Sequence, residues 1–133
     1  MTSTSDPGNG NTTKKSVIEW SVFDEFLAFR KPGTPDPRRR IITIYLDSAP
    51  MLMEAIRTAI NESDGTLLAK AAHSLKSSSM NVGAKEIGSL CAELEQTGKA
   101  GSMDEAKNLA ERLETQYATV TAALKDALQQ MDK

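Results

Sequence analysis

The chain contains one histidine, His73, within the stretch Ala71-Ala72-His73-Ser74-Leu75-Lys76-Ser77-Ser78-Ser79. On a helix of 3.6 residues per turn, Lys70, His73, Lys76 and Ser77 share one face, and Leu68, Ala71, Ala72, Leu75 and Ser79 share the other. The imidazole is therefore expected on the polar side of an anchored helix, between two lysines. A neutral imidazole is a nucleophile, and a phosphoryl group transferred to it would gain from Lys70 and Lys76 nearby. Attack through one ring nitrogen requires the proton to sit on the other, ideally donated to a carboxylate that holds the tautomer. Which carboxylate comes near is open at this level.

Other chemistries are poorly supplied. With a single histidine and a single cysteine, neither a four-cysteine site, nor a site of two cysteines and two histidines, nor a His-Glu-x-x-His site can be built. No Gly-rich phosphate loop or dinucleotide fingerprint occurs either. Cys91 lies in the apolar stripe Ile87, Leu90, Leu94 and reads as buried packing rather than a reactive thiol. The serine run beside His73 suggests a nucleophile and base, but Ser77 is on the histidine's own helix and no turn sets up an oxyanion hole. Ser78 and Ser79 suit a close helix contact. Met51, Met53, Met103 and Met131 read as packing. Met80, seven residues after His73, falls on the exposed face, where an adaptable apolar side chain suits a docking surface.

The elements that must position His73 follow from periodicity. The segment 1–16 is polar, with one Pro and no apolar residue after Met1, and is expected to be a passive disordered tail before a domain spanning 17–133. Trp20, Phe23, Phe26 and Leu27 are spaced for one face of a short helix, with Ser21 as its N-cap. Lys31-Pro32-Gly33-Thr34-Pro35 breaks the chain, and Asp36-Pro37 reads as N-cap and N1 of a longer helix. Ile41, Ile42, Tyr45 and Leu46 supply its buried stripe, and Arg38-Arg39-Arg40 its solvated first turn. Pro50 is expected to kink or restart it before the stripe Leu52, Met53, Ile56, Ile60. Ser63 or Asp64 caps the helix of His73, which runs to about Asn81, and Gly83 supplies a left-handed turn. The next helix is expected to end at Gly98. Ser102 and Glu105 form a capping box for a last helix carrying Leu109, Leu113, Tyr117, Val120, Leu124 and Leu128. No segment alternates as a strand. The expectation is an all-α, antiparallel four-helix bundle with an additional short N-terminal helix.

The net charge of −2 gives no general attraction to nucleic acid or anionic membrane, and no apolar run approaches the ~18 residues of a membrane span. The first residues lack the apolar core of a secretory signal. Cytoplasmic residence is the expectation.

Ala72-His73-Ser74-Leu75-Lys76, then Gly83, then Leu90-Cys91-Ala92-Glu93-Leu94-Glu95 resembles the signature of histidine-containing phosphotransfer (HPt) domains, roughly A-H-x-L-K-G-x-S, a later Gly and C-x-x-L-E. The likeness is close over residues 72–95, and the helix order extends it to about 20–128. It implies a phosphorelay carrier, not an enzyme in its own right. Such a carrier accepts a phosphoryl group on His73 from the aspartyl phosphate of a receiver domain, that of a hybrid sensor kinase among them, and passes it to another receiver. It implies further that Lys76 steadies the phosphoryl oxygens and Glu95 faces Nδ1 from the neighbouring helix. No cofactor is expected on the chain itself, the Mg²⁺ belonging to the receiver, and the module is expected to be a monomer that docks through surfaces including Lys70 and Met80. The sequence departs from the pattern at Ser77, where the family carries Gly beside the imidazole. A hydroxymethyl group there would crowd an approaching receiver or hydrogen-bond the phosphoryl oxygens. A phosphorylation-independent interaction module, binding a receiver or sensor kinase, is the alternative.

Overall fold

Asp36 and Pro37 stand as N-cap and N1 in the computed structural model, which describes residues 17–132. The expected tail at 1–16 lies outside the described residues. Asp36 accepts a hydrogen bond from the Arg38 amide at 3.0 Å and pairs with the Arg38 guanidinium at 2.5 Å. Helix α2 (Pro37–Asn61) starts there. Helix α3 (Gly65–Asn81) is capped by Asp64, whose carboxylate accepts from the Leu67 amide at 3.0 Å. Helices α4 (Lys85–Ala100) and α5 (Met103–Met131) follow, and a 3₁₀ turn (Trp20–Phe23) leading into helix α1 (Asp24–Ala28) precedes them all. No strand occurs among the described residues.

The connections between the four long helices are only residues 62–64, 82–84 and 101–102, too short for a crossover, so each helix returns along its predecessor. Helix α5 closes the ring against α2. The expected antiparallel four-helix bundle is formed. Its core takes Tyr45, Met53 and Ile56 from α2, Leu68 and Leu75 from α3, Ile87, Leu90 and Leu94 from α4, and Leu113, Val120 and Leu124 from α5. Each fully buried side chain of this kind contributes roughly 1.5–3 kcal/mol, so the apolar stripes, more than capping, hold the helices in register. Cys91 is buried among them, and burial pushes its thiol up to about 12, which suits packing. Ser79 is buried too, its hydroxyl 2.8 Å from that of Tyr45 across α2 and α3.

The N-terminal segment lies over one end of the bundle. The Glu19 amide donates to the Gly83 carbonyl at 2.8 Å, and Lys85 pairs with the Glu19 carboxylate at 2.6 Å. Gly83 has φ +76°, and a Cβ there would meet the Glu19 carbonyl oxygen at 2.4 Å, so both conformation and space require glycine.

Several local expectations are corrected. Ser21 is not an N-cap: it lies inside the 3₁₀ turn and its hydroxyl donates to the Glu19 carboxylate at 3.0 Å. Of the aromatic face, only Phe23 is buried; Trp20 and Phe26 stay exposed, because so short a helix presents one turn to the bundle. Of the kink or restart expected at Pro50, the restart does not occur, since α2 runs through this residue. It lies on the exposed side, where one intrahelical bond is lost to solvent, while Ala49 and Met53 keep the stripe in the core. Met51 is not packing; it is 74% exposed. The capping box does not form: Ser102 holds the N-cap position but its side chain makes no cap hydrogen bond. Gly98 does not end α4, which continues to Ala100 and stops at Gly101, φ +74°.

Candidate functional site

Gly98 has a different task. A Cβ on it would come within 2.7 Å of the Gly65 carbonyl oxygen, and a Cβ on Gly65 within 2.3 Å of the Gly98 carbonyl oxygen. The start of α3 and the end of α4 therefore cross backbone to backbone, which sets their register. In that register Glu95, one turn before Gly98, stands opposite His73.

His73 is exposed on the polar face of α3, while Ala71, Ala72 and Leu75 anchor the helix behind it, as the periodicity predicts. Its Nδ1 lies 3.2 and 3.3 Å from the two carboxylate oxygens of Glu95. A carboxylate accepts only, so Nδ1 carries the hydrogen and donates it. That leaves the lone pair on Nε2, and no hydrogen bond reaches Nε2 among the described residues. The tautomer that makes Nε2 nucleophilic is the one this pair selects.

Glu95 is only 13% exposed and sits amid cations. Lys76 donates to Oε1 at 3.1 Å, and Lys99, one turn along α4, lies 3.4 Å from Oε2. The hydrogen bond from Lys76, with that from His73, holds the Glu95 carboxyl down at about 2 against the opposing effect of desolvation. Glu95 is thus ionised throughout the neutral range, and the imidazole always faces a carboxylate.

The remaining residues singled out in the sequence fall around this centre. Lys70 is exposed and lines a shallow recess with Ser74, His73, Glu95 and Lys99. Ser77 is exposed one turn after His73, and its hydroxyl makes no hydrogen bond among the described residues; it lines the groove on the opposite flank, with Lys76, Met80 and Gly88. Met80 lies across α4: a Cβ on Gly88 would come within 2.5 Å of its sulfur. It also borders a depression formed with Phe26 and Ile41, so the N-terminal helix reaches the histidine's side of the bundle. Lys99 is the member of the cluster that sequence reasoning did not single out. Its signal was present as an i,i+4 pair with Glu95, but such pairs are common on solvated helix faces.

No group of three or more His, Cys, Asp or Glu that could hold a metal occurs among the described residues, and none of their helices is long and apolar enough to cross a membrane. The Hpt domain family model matches residues 40–133, a span that includes α3, α4 and α5 and most of α2. No curated protein matches in sequence. Among solved structures, the chain is similar to histidine-containing phosphotransfer protein B (HptB) from Pseudomonas aeruginosa PAO1, with TM-score 0.78 and 22% identity over 87% of this chain and 97% of that one. At that identity the likeness bears on fold, while the family match covers most of the chain. With an exposed imidazole held by a carboxylate on such a bundle, the chain belongs to the Hpt domain family, the histidine phosphotransfer modules of two-component phosphorelays.

Proposed function

We propose that His73 is the phosphoacceptor of this module and that Glu95 and Lys76 are its supporting groups. The observation that carries the reading is the contact of Nδ1 with both oxygens of Glu95, at 3.2 and 3.3 Å. The Nε2 lone pair attacks the phosphorus of a receiver's aspartyl phosphate, the P–O bond to the aspartate breaks, and the carboxylate leaves. The ring becomes an imidazolium phosphorylated on Nε2, and its positive charge is stabilised by the ionised Glu95 at Nδ1–H. Lys76, on the same helix face, steadies the phosphoryl oxygens, and the Ser77 hydroxyl lies one turn from His73 where it can donate to them. Return to a second receiver reverses these bond changes.

The chain acts as a carrier, not as an independent enzyme, and has no cofactor of its own; Mg²⁺ is supplied on the receiver. Its partners are receiver domains, including that of a hybrid sensor kinase, and it works as a cytoplasmic monomer without nucleic acid. Docking uses Lys70 on one side of His73 and Met80 on the other. The intact arrangement of His73, Lys76 and Glu95 favours this over a phosphorylation-independent interaction module.

The test is transfer of labelled phosphate from phosphorylated receivers of the source organism. Acid-labile label is expected on the wild type and none on His73→Gln. Label that persists on His73→Gln overturns the assignment of the acceptor.

A further inference from the structure

The Glu95 carboxylate holds two lysines, one on each oxygen, from opposite sides of the histidine. Lys76 comes from α3 to Oε1 at 3.1 Å; Lys99 comes from α4 to Oε2 at 3.4 Å. Nδ1 of His73 lies between, almost equidistant from the two oxygens. Lys76 carries a single positive charge, so a phosphoryl group on Nε2 competes with Oε1 for it. A phosphoryl group brings a stronger negative charge to the site and draws that ammonium away. Oε1 of Glu95 would then lose its lysine contact at the moment when the carboxylate must hold the phosphorylated ring.

We propose that Lys99 is a positioning residue that retains the Glu95 carboxylate against Nδ1 when Lys76 turns to the phosphoryl group. This rests on the phosphoacceptor role proposed for His73. Lys99 acts through Glu95 and touches no reacting atom. Lys70, the other cation of the recess, has no ion pair with Glu95 and cannot substitute for it in the observed arrangement. The unphosphorylated site keeps both lysines on the carboxylate; the phosphorylated site divides them, Lys76 to phosphate and Lys99 to Glu95.

The probe is phosphoramidate in excess ammonia, with the full chain. Nε2 attacks phosphorus, the P–N bond of the donor breaks, and the amine leaves as ammonia with a proton from solvent; excess ammonia makes the step reversible. Phosphorus NMR reads the ratio of phosphorylated to free His73, and nitrogen NMR reads the Nδ1–H···Glu95 hydrogen bond in each state. Lys99→Met is expected to lower the ratio about two- to fivefold, the range of a partly exposed ion pair, and Lys99→Arg to restore it. The Nδ1–H signal is expected to keep its wild-type position in unphosphorylated Lys99→Met and to shift towards a weaker hydrogen bond once phosphorylated. Lys99 is 60% exposed, so the variants fold, and Lys99→Gln repeats the neutral substitution with a polar side chain. A labelled wild type with an unchanged ratio in Lys99→Met overturns the role of Lys99 alone. So does a lowered ratio with no change at Nδ1, which would mean a diffuse charge effect. A wild type that takes no label on His73 removes the acceptor reading and the role of Lys99 with it.

Discussion

Gly98→Ala tests the link between helix packing and chemistry. In an unconstrained helix the change would stabilise by up to about 1 kcal/mol, because alanine is the better helix former. Here the new Cβ would stand 2.7 Å from the Gly65 carbonyl oxygen, 3.0 Å from the Ala69 nitrogen and 3.3 Å from the Leu68 Cβ. Two of these are backbone atoms and cannot rotate away. Restoring ordinary contact at the start of the 3.4–4 Å range requires α3 and α4 to separate by about 0.7 Å, the difference between 3.4 and 2.7 Å. Overpacking of this kind costs about 1–3 kcal/mol, which cancels or outweighs the propensity gain of about 1 kcal/mol, so a net loss of up to about 2 kcal/mol is expected in urea unfolding with an unchanged slope. Glu95 is one turn from the contact, and a displacement of that size takes Nδ1···Oε2 from 3.2 Å towards 3.9 Å, outside hydrogen-bond range. Gly98→Ala should therefore lose phosphoryl acceptance as well as stability. A variant stabilised relative to the wild type, or one with the His73–Glu95 hydrogen bond intact by nitrogen NMR, would refute the claim that this crossing sets the register of the site.

Gly88→Ala should behave oppositely, because its Cβ would meet only the end of the flexible Met80 side chain, which can swing aside. A gain of about 0.5–1 kcal/mol in urea unfolding is expected, with weaker receiver binding as Met80 is displaced; a loss of stability would contradict the reading. Asp36→Ala should cost about 1–2 kcal/mol by thermal or urea unfolding, from loss of the N-cap and the Arg38 pair. Asp36→Asn, which keeps the cap, should cost less, and equal losses would show that the cap contributes nothing. For Glu95 the folded carboxyl sits at about 2 against an ordinary 4.5. A lowered folded pKa means that its stabilisation is fully present above about pH 4.5 and is lost as pH falls towards 2. Glu95→Gln should flatten that part of the stability profile, and an unchanged acid limb would show that the charge of Glu95 contributes nothing there.

Much of this molecule is readable along the chain. The 3.6-residue period placed His73 outside and Ala71, Ala72 and Leu75 inside, and the order Asp36-Pro37 and the pair Ser63-Asp64 marked helix starts, because these are local preferences of backbone and side chain. The same local logic failed where packing competes with it. Pro50 did not restart the helix because Ala49 and Met53 are held in the core, and Ser102 and Glu105 formed no capping box although their spacing permits one. Gly98 looked like a terminator, yet its lack of a side chain serves an approach by another helix, and nothing within its own helix signals that.

The choice of His73 as the candidate nucleophile and the all-α architecture thus follow from the sequence by itself, since both rest on composition and on a period that each helix carries alone. Resemblance to a family pointed to Glu95 as the residue facing Nδ1. What only the tertiary structure decided is the arrangement about that carboxylate: both oxygens shared by Nδ1, Lys76 on one and Lys99 on the other. His73 and Glu95 are 22 residues apart and on different helices. Their distance depends on how α3 slides along α4, which is set by the backbone contact of Gly65 with Gly98 and by the burial of Leu68, Leu75, Leu90 and Leu94 between the helices.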